Sequence, residues 1–176
     1  MNNEQALTIN RSNIIASTKF IALIGVATIV PLFHQQLITG PIVNATLFVA
    51  TIIIGTRAGI LVGLIPSVIA LSIGTLPVPL APMVPYIMLS NVILILTFGY
   101  LKNKNYWLAV GVASFFKFIF LFVTSLVVTD LLLKKELAES VIIMLSYPQL
   151  LTALAGGVLA SLFLGYCKNY CSKNNQ

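Results

Sequence analysis

The chain has 176 residues, of which 59% are hydrophobic and 8% charged, with a formal net charge of +6. Soluble domains carry about 25% charged residues, so this composition excludes one and points to a chain immersed in lipid. The basic residues stand singly at segment ends, which excludes a nucleic-acid partner and makes them signals of membrane topology.

Residues 1–12 are polar and carry Glu4 and Arg11. They lack the basic start, short apolar core and small-residue cleavage site of a signal peptide, so the first apolar segment is expected to be retained. That segment, about residues 13–33, is the first predicted membrane helix and ends near Pro31 and His34. The second, about 38–56, closes in the glycine-flanked turn Gly55-Thr56-Arg57-Ala58-Gly59. Beyond Arg57 come 44 residues, 58–101, without a charged side chain. A charge-free run of that length holds two spans, because one helix needs only about 20 residues to cross. They are predicted at about 58–73, with a kink at Pro66, and about 83–101, joined through the proline-rich stretch Thr75–Pro82. The fifth is predicted at about 106–132 and the sixth at about 146–167.

The prediction is therefore an all-α integral membrane protein, a six-transmembrane-helix bundle forming a single membrane domain over residues 1–176. Loop charges orient it. One side holds Arg11, Lys19, Arg57, Lys102, Lys104, Lys168 and Lys173 against Glu4; the other holds Lys134 and Lys135 against Asp130, Glu136 and Glu139. The basic side faces the cytoplasm, so both termini are expected there.

Lys117 is the most informative position. In Phe115-Phe116-Lys117-Phe118 it stands twelve residues into the fifth span, about 18 Å along the helix and near the bilayer midplane. A lysine there costs at least about 2.5–3.5 kcal/mol. Ala113, Ser114, Thr124 and Ser125 share its face, a small and polar stripe that suits contact with other helices. Two readings stand: a partner for an anion or carbonyl on a substrate, or a snorkelling or structurally paired lysine. No acid lies at similar depth, which leaves backbone carbonyls, water or ligand as partners.

Hydrogen-bonding side chains collect at the expected external ends. His34, Gln35, Gln36 and Thr39 follow the first span and Asn44 opens the second; Tyr86, Ser90 and Asn91 lie in the fourth, and Ser146, Tyr147 and Gln149 open the sixth. A ligand pocket is expected with Lys117 at its base and Asn44, Tyr86, Asn91, Tyr147 and Gln149 as its wall, with His34 nearby. Interhelical hydrogen bonding is the alternative for any one of them. His34 is the only histidine, so no metal site is expected. Cys167 and Cys171 read as reduced thiols in the tail. Small residues line up as Gly59, Gly63 and Ser67 on the third span and as Ala153, Gly157, Ser161 and Gly165 on the sixth, for packing inside the bundle or against a partner. There is no phosphate-binding loop, paired zinc-ligand motif or nucleophile elbow, so neither cofactor nor catalysis is expected.

From His34 to Leu101 the chain resembles the substrate-binding S components of energy-coupling-factor (ECF) transporters, prokaryotic importers of vitamins and other trace nutrients. The likeness rests on Thr39-Gly40-Pro41, Gly55-Thr56-Arg57-Ala58-Gly59, Val62-Gly63, Pro66-Ser67, Gly74, Leu76-Pro77, Ala81-Pro82, Pro85 and Asn91. It implies a multi-pass protein of the prokaryotic plasma membrane that captures a vitamin or related small nutrient outside. It also implies work with a membrane coupling subunit and two ATPases. First spans of that family carry an alanine-x-x-x-alanine docking pattern; here Thr18, Ala22, Gly25 and Ala27 give no clean four-residue pair, and Ala22 and Gly25 are carried over as docking positions. A self-sufficient transporter or channel and a small membrane-embedded enzyme remain as alternatives.

Overall fold

The computed structural model describes residues 11–30, 36–74, 76, 78–132 and 135–173. Among these all regular structure is helical: α1 (Arg11–Ile29), α2 (Gln36–Ile53), α3 (Thr56–Ser72), a 3₁₀ turn over Val78–Met83, α4 (Val84–Leu101), α5 (Tyr106–Leu132), α6 (Lys135–Leu145) and α7 (Tyr147–Lys173). Lipid offers the backbone no hydrogen bonds, so an apolar run must satisfy its own, and the helix does so within one segment. Three stretches are long and apolar enough to cross a membrane, Val78–Leu101, Tyr106–Leu131 and Ala138–Lys168. Ile14–Ile29, Leu37–Ile53 and Thr56–Ser72 are shorter apolar helices. Such lengths fall short of a hydrocarbon core of about 30 Å, a mismatch that bilayers accommodate by local thinning or interfacial anchoring.

Local chemistry sets the helix ends. Gly55 takes φ 111°, a conformation that side-chain-bearing residues rarely adopt, and turns α2 into α3. Gly74, at φ 72°, ends α3 and lets the Leu76 N–H reach back to the Ala70 carbonyl at 3.1 Å. The Asn105 Oδ1 accepts the Leu108 N–H at 3.1 Å and so opens α5. Pro66 lies inside α3 without ending it, and Pro41 lies inside α2.

At the bundle's basic end, Lys102 Nζ donates to the Thr51 carbonyl at 2.6 Å, joining the end of α4 to the end of α2. Tyr100, Trp107 and Tyr166 are exposed at the same end, where amphipathic rings favour the headgroup layer, and Lys104 stands 5.9 Å over the Tyr100 ring.

Two apolar clusters fill the interior. Toward the basic end, Leu47, Phe48, Val62, Leu94, Ile95, Phe98 and Val110 pack together, with the Phe48 and Phe98 rings 4.6 Å apart. Tyr106 closes this cluster through a 2.7 Å hydrogen bond to the Gly157 carbonyl. Toward the other end, Leu80, Met83, Leu121, Val128, Val141 and Leu145 form the second. Between them along α2, α4 and α5 lie Asn44, Asn91 and Lys117, all buried.

The structure adds one element to the sequence prediction. Residues assigned no span before Ser146 include α6, which buries Val141 and Leu145 in the second cluster and exposes Glu139 and Ser140. With 11 residues, α6 is by itself too short to cross a membrane.

The orientation is open to direct measurement. Single cysteines at Asn3, Lys102 and Glu136, in a chain lacking Cys167 and Cys171, are expected to react with an impermeant thiol reagent from outside intact cells only at Glu136. Outside labelling at Lys102 would invert the topology.

Candidate functional site

Three helices meet at the Lys117 amine, and a fourth orients one of its partners. Lys117 projects from α5, is 4% exposed, and donates to the Oδ1 of Asn44 on α2 at 2.7 Å and to the Oδ1 of Asn91 on α4 at 2.8 Å. The Asn91 amide is itself oriented, since its Nδ2 donates to the Gly63 carbonyl of α3 at 2.9 Å. Its oxygen therefore has to face Lys117.

Glycines bring these groups within reach. A Cβ on Gly63 would stand 2.9 Å from Ile95 Cδ1 and 3.3 Å from Asn91 Cβ, so the bare backbone of α3 is what admits α4. A Cβ on Gly156 of α7 would stand 2.7 Å from Asn44 Cβ and 2.9 Å from both the Ala45 nitrogen and the Pro41 carbonyl oxygen. Asn44 is thus held in place by a helix that makes no hydrogen bond to it among the described residues.

A cavity of about 150 Å³ opens above the amine. Its polar lining is Thr39, Asn44, Ser67, Asn91, Lys117 and Gln149; Val43, Pro66, Ala70 and Leu76 supply the apolar part. Thr39, Leu76 and Gln149 belong to the helix ends opposite the Gly55 and Lys102 turns, so the space runs from the polar layer toward the expected outer face. An ammonium has three N–H donors. Two are taken by amide oxygens, and no third acceptor is supplied among the described residues. Among the described residues no carboxylate lines the space. The arrangement can hold a small polar molecule by directed hydrogen bonds.

Comparison with protein families agrees with this architecture. Residues 18–164 match the family model described as ECF transporter, substrate-specific component. The chain belongs to that family. No curated protein and no solved structure matches it. It is a multi-pass protein of the prokaryotic plasma membrane and a transport binding protein, not an enzyme; its general partners are a substrate and an ECF module.

In this S component the residues singled out from sequence fall in several places. Lys117, Asn44, Asn91 and Gln149 line one cavity. Tyr86 is half-buried and packs on the outer apolar cluster, and Tyr147 is 62% exposed; neither lines the cavity. Amphipathic rings at helix starts serve a membrane interface as readily as a site. His34 lies outside the described residues. Ala22 is exposed on α1, and a Cβ on Gly25 would meet nothing within 4 Å, so both lie on an open face. Ser114, expected on the Lys117 face, is fully buried with no partner for its Oγ among the described residues. Thr124 and Ser125 spend their hydroxyls on the α5 backbone, donating to Phe120 and Phe122.

The structure revises one expectation and resolves another. The Lys117 amine was expected to meet backbone carbonyls, water or ligand; its protein partners are two asparagine side chains. The Gly59–Gly63 stripe packs inside the bundle, against Thr51, Ile95 and Asn91, while on α7 Gly157 abuts Val110 and Gly165 meets nothing within 4 Å. Ser67, read from sequence as a packing residue, belongs to the cavity. Its position one residue after Pro66, where the helix loses a backbone donor, was the available signal.

Groups of three histidine, cysteine or carboxylate side chains suited to a metal do not occur among the described residues. Two other hollows hold one ionisable side chain each, Lys19 between α1 and α2 and Asp130 between α5 and α6.

Proposed function

We propose that this S component captures a vitamin or related small nutrient in the cavity above Lys117. It then works with a membrane coupling subunit and two ATPases to import that nutrient. The observation that carries the reading is a buried amine, held by Asn44 and Asn91, that has among the described residues a donor to spare beside a cavity and no acid to neutralise it. Keeping such a group in lipid is costly, and a ligand that accepts its third hydrogen bond offsets part of the cost. The open face of α1 around Ala22 and Gly25 is the surface proposed for the coupling subunit.

The chain has no nucleotide-binding loop, so the energy for concentrative import has to come from elsewhere. Vesicles containing this chain alone are expected to bind the ligand that copurifies with it but not to accumulate it. Adding the coupling subunit, both ATPases and ATP should restore accumulation. Uptake against a gradient by the chain alone would replace this reading with that of a self-sufficient transporter.

A further inference from the structure

We infer that the ligand presents a single carboxylate on an aliphatic, hydroxyl- or amide-bearing skeleton to Lys117. The inference rests on the reading of the cavity as the capture site and goes on to specify what fills it.

Three features of the lining select this class. The first is charge. Among the described residues that line the space Lys117 is the one ionisable side chain, and its two protein partners are neutral amides. A monoanion brings the site to neutrality. A neutral ligand leaves the ammonium uncompensated, and a dianion such as a phosphate monoester leaves a second negative charge without a counterion in a poorly solvated place.

The second feature is shape. Among the described residues no aromatic side chain lines the cavity; its apolar walls are Val43, Pro66, Ala70 and Leu76. Tyr86 packs elsewhere, on the outer apolar cluster. Planar heterocycles are held by aromatic rings that stack on their faces, and this wall offers none. Branched aliphatic and pyrrolidine surfaces suit a saturated skeleton instead.

The third feature is the distribution of hydrogen-bonding groups. Thr39, Ser67 and Gln149 stand around the space as hydroxyls and an amide, able both to donate and to accept. The second carboxylate oxygen and neighbouring hydroxyl or amide groups of a ligand can pair with these. At about 150 Å³ the cavity is well above the roughly 10–15 Å³ that admits a single water. A compact acid fits within it, or the acidic end of a longer molecule whose remainder points to the outer mouth.

The test uses the purified full-length protein, stripped of copurified ligand in detergent. Probes are hydroxylated aliphatic monocarboxylates of graded chain length, the primary amide of each, butyl phosphate and benzoate. Binding is read by thermal shift and calorimetry on the wild type, on Lys117→Met and on Asn44→Asp. The last variant keeps an acceptor beside the amine while supplying an internal counter-charge, so it is expected to fold.

At least one hydroxylated monocarboxylate is expected to bind about tenfold or more tightly than its amide, than butyl phosphate and than benzoate. Both variants are expected to lose that preference. A panel in which no monocarboxylate binds, or in which an amide, the phosphate or benzoate matches the best of them, overturns the ligand class. The variants then judge the site separately: whichever probe binds best, weakened binding in Lys117→Met keeps the cavity as the capture site, and unchanged binding removes it.

Discussion

Lys117→Met is expected to fold, to reach the membrane, and to bind the copurified ligand roughly ten- to 150-fold more weakly than the wild type. The range follows from a hydrogen bond to a charged group, worth about 1.5–3 kcal/mol, converted at about 1.4 kcal/mol per tenfold. Methionine keeps the length of the side chain and removes its donors. The oxygens of Asn44 and Asn91, which now face the amine at 2.7 and 2.8 Å, lose a partner. An unpaired buried acceptor costs about 1–3 kcal/mol, but the adjacent cavity can admit water to these oxygens, so the melting temperature should fall without loss of the folded state. Lys104→Met is the control: that side chain stands over Tyr100 at the basic end, and affinity should not change. Calorimetry on both variants decides the matter. Wild-type affinity in Lys117→Met would make the lysine structural and move the site away from the polar layer.

Gly156→Val is the second large effect, and it reads packing rather than charge. Any Cβ at this position meets the backbone of α2 at Ala45 and Pro41 as well as the Asn44 side chain. Backbone cannot rotate out of the way as a side-chain tip can. Forcing carbons into a filled contact costs about 1–3 kcal/mol, and the separation of α2 from α7 carries Asn44 away from Lys117. The variant is therefore expected to melt lower and to bind more weakly at once. Gly165→Val on the same helix has nothing within 4 Å to strike and should match the wild type in both. Melting curves with and without ligand separate the two effects. A Gly156→Val protein with unchanged stability would mean that the contact of α2 with α7 is looser than described.

The membrane character and the burial of Lys117 were legible in the sequence for the same reason. Lipid is so unlike water that a charge-free run of 44 residues, or a lone lysine within an apolar helix, has few physical readings. Periodicity reports which face of a helix is polar, but not which helix lies opposite. Asn44 and Asn91 stand 73 and 26 positions from Lys117, and their meeting depends on glycines that set helix spacing. Gly156 went unmarked because the four-residue stripe ran through its neighbour Gly157, which faces Val110 instead of α2.

The α6 helix was hidden for another reason. The segment from Lys134 to Glu139 is charged, and in a chain this apolar charge reads as loop. The buried side of α6 shows only at Val141 and Leu145. Tyr86 and Tyr147, expected in the pocket wall, are not among the described residues that line the cavity. A ring with a polar tip suits a ligand pocket, an outer apolar cluster and a membrane interface equally well, and nothing in its own sequence neighbourhood chooses among them.

The central claim, that the amine between Asn44 and Asn91 receives the substrate, is tested most directly by an experimental density map of the protein carrying its copurified ligand. The ligand is expected in the cavity bounded by Thr39, Ser67 and Gln149, with an oxygen at hydrogen-bonding distance from Lys117 Nζ and both asparagine contacts retained. A ligand seated elsewhere, for example beside Lys19 between α1 and α2 or beside Asp130 between α5 and α6, with the Lys117 amine touching protein alone, would contradict it.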